Sequence, residues 1–121
     1  MAKTVCKILG VVFLLVGVVG FAAPNLLGAH LTPAHNVVHI VSGAIALYFG
    51  FAGTLSGAKT FCLVFGVVYL GLGILGLVLG TGPDRDWHIG GLLHFGTADH
   101  GIHCLLGVAF LAGGLFTKRV D

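Results

Sequence analysis

Four long apolar runs, separated by short polar segments, make up most of the 121-residue chain. Each run is close to the ~20 residues that a helix needs to cross the hydrocarbon core of a bilayer. The apolar residues within a run are continuous and do not alternate with polar ones, which favours helices over barrel strands. We therefore predict membrane-spanning helices over residues 5–23, 35–53, 60–80 and 98–116.

The composition supports a membrane protein. Hydrophobic residues make up 57% of the chain and charged residues only 8%, whereas soluble domains are about 25% charged. A soluble domain of this size could not bury so much apolar surface. This hydropathy makes the lipid bilayer the expected partner. The net charge of +2 comes without a sustained basic patch, so nucleic acid is not expected to bind.

The distribution of basic residues predicts the orientation. Five of them fall on one side of a four-span chain, namely Lys3, Lys7, Lys59, Lys118 and Arg119. On the other side Arg85 stands alone between two aspartates, Asp84 and Asp86. Because cytoplasmic loops carry the excess of Lys and Arg, both termini are predicted to be cytoplasmic and the connections at 24–34 and 81–97 to face outward.

The chain also reads as a duplication. Residues 3–21 and 59–77 both begin with K-T-x-C and share three glycines in register at an offset of 56. At an offset of 64, AHNVVHIVSGAIAL pairs with ADHGIHCLLGVAFL, which places His39 on His103 and Gly43 on Gly107. We predict two parallel helical-hairpin repeats, 3–53 and 59–116, in a single domain covering 1–121, with the glycines at helix contacts.

The candidate chemistry lies on the predicted outer side, which holds all seven histidines: His30, His35, His39, His88, His94, His100 and His103. His35 and His39 are four residues apart, as are Asp99 and His103, so each pair shares a helix face. Ionisable residues within spans normally face the bundle interior. We predict that these two pairs converge as zinc or copper ligands.

Two flanking residues, Asn36 and His100, are expected to orient those ligands by hydrogen bonds. A structural alternative needs no metal. In that alternative Asp99 pairs with His39 or His103 and caps the fourth span, and interhelical hydrogen bonds hold the bundle together. The protein would then be a structural accessory subunit of a membrane complex.

A second alternative places a cofactor between the repeats. His39 and His103 would be axial ligands of haem or of a chlorophyll-type pigment. Gly43 and Gly107, one turn deeper, would leave room for the macrocycle. The protein would then belong to an electron-transfer or light-related class.

The second outer loop and the cysteines have simpler interpretations. The loop at 81–98 contains Trp87 and a short apolar run at 89–95, predicted to lie as an interfacial anchor or to cover the mouth of the site as a lid. Three cysteines, Cys6, Cys62 and Cys104, are too few for a disulfide framework and are taken as small apolar filler.

Three segments together resemble a known family: AHNVVHIVSG, FGVVYLGLGILG and ADHGIHCLLG. They are similar to small four-span bacterial membrane proteins catalogued only as a domain of unknown function. The motif of Asn or Asp near a helix start, then His, then Gly maps onto Asn36, His39 and Gly43, and onto Asp99, His103 and Gly107. His100 departs from the Asn expected after Asp99. The resemblance implies the four-span topology, but no activity. We expect the chain to be a multi-pass protein of a bacterial inner membrane.

The sequence thus predicts an all-α membrane protein, a bundle of four transmembrane helices built from two helical hairpins. It contains no catalytic triad, phosphate loop or paired-carboxylate site, so we predict a non-enzymatic protein. A metal site at His35, His39, Asp99 and His103 is the first expectation, and a homo-oligomer or a larger membrane complex is the expected assembly.

Overall fold

The computed structural model describes residues 2–24, 31–89 and 93–117. Four helices dominate this part of the chain: α1 (Ala2–Ala22), α2 (Pro33–Phe51), α3 (Leu55–Leu79) and α4 (Thr97–Leu115). All four are long and apolar enough to cross a membrane. The predicted all-α, four-span bundle is therefore confirmed. Three residues on which sequence-based predictions rest, His30, Lys118 and Arg119, lie outside the described residues.

All four helices begin before the predicted spans, and threonines cap two of them, α2 and α3. Thr32 accepts a hydrogen bond at 3.2 Å from the backbone nitrogen of His35, and Pro33 occupies the first turn of α2. Thr54 accepts at 2.9 Å from the nitrogen of Gly57 at the start of α3. A threonine cap satisfies a backbone N–H that has no partner within the helix. The polar segment before Lys59 is thus the first turn of α3.

The helices pack as two antiparallel hairpins, α1 with α2 and α3 with α4. Aromatic rings join the hairpins in the centre of the bundle. The ring of Phe13 lies 5.9 Å from Phe110 and 5.5 Å from Tyr69, measured between centroids. All three side chains are buried, so the core sits where the two hairpins meet.

Glycines bring the helices of each hairpin into close contact. A Cβ at Gly43 would lie 3.0 Å from the backbone nitrogen of Leu14, and one at Gly107 would lie 2.7 Å from the Cα of Leu70. These two contacts are related by the offsets of 64 and 56 found in the sequence. The duplication itself stays a prediction, and this pairing of contacts supports it.

One end of the bundle brings together the start of α1, the α2–α3 connection and the end of α4. The Sγ atoms of Cys6 and Cys62 lie 3.8 Å apart, and both cysteines are free and buried. The backbone nitrogen of Ala2 donates to Thr117 Oγ1 at 2.7 Å. We call this the inner end, and the opposite end, which carries Arg85, the outer end.

Lys59 holds the inner end of α4. Its ammonium donates hydrogen bonds to the backbone oxygens of Gly114, at 2.6 Å, and Thr117, at 2.8 Å. The last carbonyls of a helix have no partner within the helix, and a cation there also interacts favourably with the helix dipole. Lys59 therefore has a structural role beyond topology.

We expect Lys59→Met to destabilise the protein by about 1–2 kcal/mol, since two charge-assisted hydrogen bonds are lost. Thermal unfolding in detergent measures the effect. Lys7→Met is the matched control, because Lys7 lies over the ring of Phe51 at 4.8 Å and that contact is worth less than about 1 kcal/mol at an exposed site. Equal losses in both variants would contradict the capping role.

The outer loop contains two strands that the sequence analysis did not predict. β1 (Trp87–Ile89) and β2 (Leu93–Phe95) pair antiparallel, with Trp87 opposite Phe95 and His88 opposite His94. Successive side chains on a strand point to opposite faces. Within β2, Phe95 is accordingly buried, whereas the neighbouring His94 is on the opposite face and is 27% exposed.

Candidate functional site

The predicted site residues come together at the outer half of the bundle. His35, His39, Asp99 and His103 are all buried, with at most 7% of any of them exposed. The imidazole of His35 lies 4.2 Å from that of His39 and 6.0 Å from that of His103, between ring centroids. The i, i+4 spacing on α2 and α4 thus presents both pairs to the same space.

These side chains line a small cavity of about 150 Å³. Its remaining walls are apolar and include Val12 and Phe13 of α1 and Leu106 of α4. The ring of Phe13 stacks on that of His39, with centroids 5.4 Å apart and planes at 13°. The cavity is therefore a mostly apolar pocket with four ionisable groups in one part of its wall.

Two imidazoles of the site have an unsatisfied nitrogen. Among the residues that the structure describes, Nδ1 of His39 and Nδ1 of His103 are buried with no hydrogen-bond partner. Leaving a buried polar atom without a partner costs about 1–3 kcal/mol. Such atoms are rare in native proteins, and where they occur they often serve a catalytic role or bind an ion.

Asp99 has a structural contact at the start of α4. Its Oδ2 accepts a hydrogen bond at 2.8 Å from the backbone nitrogen of Gly96. The carboxylate sits in the first turn of the helix, where a negative charge is favourable. This is the capping contact that the structural alternative predicts, and it holds the carboxylate at the edge of the cavity.

Asn36 and His100 each pack against a glycine of the neighbouring helix, at equivalent positions in the two helical hairpins. The Asn36 side chain packs on Gly20 of α1, and the His100 ring packs on Gly76 of α3. A Cβ on either glycine would overlap the polar side chain. These two side chains therefore have a packing role that the sequence analysis missed, although it had found the two glycines in register at the offset of 56. Their expected role in orienting ligands stays a prediction.

His100 also supports the outer loop. Its Nε2 lies 2.7 Å from the backbone oxygen of Arg85. Because a carbonyl oxygen only accepts, Nε2 of His100 is the donor. Arg85 has a positive φ of 52°, uncommon for a residue with a side chain. The buried histidine therefore anchors a turn that leads into β1.

Phe95 covers the site from the outer end. Its ring meets His103 edge to face, with centroids 4.6 Å apart and planes at 89°, and meets His35 at 5.1 Å. Phe95 is therefore the residue of the loop that contacts the site, while the lid and the interfacial anchor, the two predicted roles of the loop, both stay predictions. Tyr69, 5.7 Å from His103 between centroids, is another neighbour that the sequence analysis missed. Neither aromatic residue shares a spacing pattern with the histidines.

A sequence model of one protein family matches residues 3–116, and its description is "Domain of unknown function (DUF4383)". The match spans all four helices. The chain belongs to the DUF4383 family. The resemblance noted in the sequence is confirmed at this level, while the individual motif residues stay a prediction. No curated protein and no solved structure matches this chain significantly.

The side chains that could bind a metal ion in this DUF4383 chain have suitable chemistry but are not yet arranged around one point. Within residues 2–24, 31–89 and 93–117, no three His, Cys, Asp or Glu side chains are already placed to hold one ion together. The donor chemistry nevertheless suits zinc or copper. Loading the site would require the imidazoles to turn from ring packing so that their nitrogens converge.

In this DUF4383 chain the space expected for a haem beside the two glycines is filled by the neighbouring helices. Gly43 and Gly107 leave no space for a macrocycle, because Leu14 and Leu70 of the neighbouring helices pack against them. The cavity of about 150 Å³ is also smaller than the ~300–1,000 Å³ of typical small-molecule pockets. A tetrapyrrole would need the helices of the bundle to separate.

Proposed function

We propose that this multi-pass membrane protein binds a transition metal ion, zinc or copper, in the cavity of its outer half. His35, His39, Asp99 and His103 would be the ligands. One observation carries the proposal: three buried imidazoles and a buried carboxylate from two helices line one small cavity, and two of the imidazoles keep an unpartnered Nδ1. Ionisable groups within a membrane bundle are expensive and normally serve a function.

The surroundings suit a closed site. Phe13 and Phe95 pack aromatic rings against His39 and His103. Asp99 would contribute a negative charge that partly balances a divalent ion. A fully protein-ligated site without an open position is typical of structural or sensing metal centres and not of catalytic ones. We therefore expect a non-enzymatic role such as metal sensing or delivery.

The charges support an orientation with both termini in the cytoplasm of a bacterial inner membrane. Lys7 and Lys59 contact the inner ends of α2 and α4, and cytoplasmic segments are the ones enriched in Lys. The cavity would then lie toward the outer surface. Exposed apolar side chains on all four helices suit contact with lipid, with a second copy of the chain or with a larger membrane complex.

Metal analysis of the protein prepared without a histidine tag tests the proposal. After a wash with a weak chelator, which removes surface ions, we expect about one tightly held zinc or copper ion per chain. His39→Ala and His103→Ala should each lose it. His88→Ala is the matched control, since this histidine is exposed on β1 and its removal should leave the buried ion in place.

Two results would contradict the metal proposal. One is a wild-type protein that stays metal-free after expression with added zinc or copper. The other is retention of the ion by both cavity variants. An absorption spectrum of the same sample tests haem or a pigment held by His39 and His103, because a Soret band in protein from haem-replete cells would favour that alternative.

A structural accessory role is the second candidate, and the Asp99–Gly96 hydrogen bond favours it. In this case the polar groups would serve only to join and cap helices, each contact contributing about 0.6 kcal/mol. Asp99→Asn would then lower thermal stability without changing any bound species. Under the metal proposal the same variant would also weaken metal retention.

A further inference from the structure

The two paired strands of the outer loop, β1 and β2, carry a second pair of histidines, separate from the buried site. His88 on β1 and His94 on β2 stand directly opposite each other in the strand register. Their rings are stacked, with centroids 4.2 Å apart and planes at 17°. His88 is exposed and His94 is partly exposed, so water and dissolved ions can reach the pair.

A carboxylate fixes one of these rings. Asp86 Oδ1 lies 2.7 Å from His94 Nε2. An ionised carboxylate only accepts, so Nε2 carries a proton, and in the neutral imidazole Nδ1 then carries the lone pair that a metal ion needs. A histidine that donates its other N–H to a carboxylate is the usual arrangement at metal centres, where the carboxylate sets the tautomer and raises the basicity of the ligand.

We propose that His88 and His94 form a solvent-accessible site for a divalent late transition metal ion such as Zn²⁺. The exposed His88 ring would turn from its stacked position so that its lone pair meets that of His94. The protein would then supply two imidazole nitrogens, with Asp86 as the positioning residue for His94, and water would complete the coordination. Imidazole selects zinc, copper or nickel over magnesium and calcium, which prefer oxygen ligands. With only two protein ligands, the ion would exchange freely with solution. This site does not depend on the buried one.

An ion at this position would bridge the two strands that hold Phe95. His94 and Phe95 are neighbours on β2 and point to opposite faces, so the outward face would carry the metal while the inward face covers the buried histidines. Bound metal should therefore hold β1 and β2 together and protect the backbone amides of the hairpin from hydrogen exchange.

Competition between the full-length protein in detergent and a chromophoric chelator for Zn²⁺ tests the proposal. We expect one exchangeable Zn²⁺ in the wild type, lost in His88→Ala and in His94→Ala. Asp86→Asn should weaken binding about tenfold, the usual effect of removing such a carboxylate. Asp84→Asn is the matched control, because this neighbouring carboxylate accepts from the backbone nitrogen of Thr97 and should not affect Zn²⁺.

The outcomes separate this site from the buried one. Exchangeable Zn²⁺ that persists in His88→Ala would overturn the proposal, as would its loss in His39→Ala but not in His88→Ala. Because His88 is exposed, its variant should unfold at the wild-type temperature in the absence of metal. The test therefore stands even if His94→Ala disturbs the hairpin.

Discussion

Replacing Phe95 with alanine should destabilise the protein by about 3–5 kcal/mol, the usual cost of removing a buried aromatic ring. Phe95 is only 2% exposed, and its ring contacts Trp87 as well as His35 and His103. Its removal would also uncover the rings of His35 and His103 that it packs against. Thermal unfolding measures the loss of stability, and diethyl pyrocarbonate modification, located by mass spectrometry, measures access to the two histidines.

Phe116→Ala is the matched control for this prediction. Phe116 lies at the end of α4 and is 74% exposed, so its truncation should change the stability by no more than about 0.5 kcal/mol and leave the modification of the histidines unchanged. Equal reactivity of His103 in the wild type and in Phe95→Ala would show that Phe95 does not close the site.

Replacing Gly107 with leucine should cost about 3 kcal/mol or more, because a side chain there has no room. Even a Cβ would overlap the backbone nitrogen of Leu70 and lie 2.7 Å from its Cα. Backbone atoms cannot turn aside as a flexible side chain can, so α3 and α4 would have to separate. The unfolding temperature in detergent and the yield of folded protein measure the effect.

Gly101→Leu on the same helix is the control. Apart from its two chain neighbours and the backbone of its own helix, no atom of the described residues comes within 4 Å of a Cβ built on Gly101. Glycine inside a helix is less favourable than alanine by roughly 0.5–1 kcal/mol, so this variant should be as stable as the wild type or more stable. Similar losses in the two variants would refute the close contact between α3 and α4.

The spans were predictable because their signal is local. A run of about 20 apolar residues must form a helix in a bilayer, whatever its neighbours are. The starts of α2 and α3 were placed less well, since Thr32 and Thr54 lie in polar segments that resemble loops. Their capping hydrogen bonds could have been anticipated from the preference of threonine for this position.

The candidate site was predictable in part. The i, i+4 spacing places His35 with His39 and Asp99 with His103 on shared helix faces. Because ionisable residues of membrane spans normally face the bundle interior, both faces were expected to point inward. The contributions of Phe13 and Tyr69 could not be predicted in the same way. They reach the histidines from α1 and α3, and no pattern within one helix relates residues on different helices.

The sequence by itself determined the membrane class, the number of spans, the family and the position of the buried histidines and Asp99 together in one half of the bundle. Each of these follows from local composition, spacing or direct similarity. Only the tertiary structure decided that Asn36 and His100 pack against glycines of the neighbouring helices and that β1 and β2 form. It also decided that Phe95 turns inward while His94 turns outward. Those outcomes depend on strand register and on contacts between distant helices, which are set when all the elements pack together.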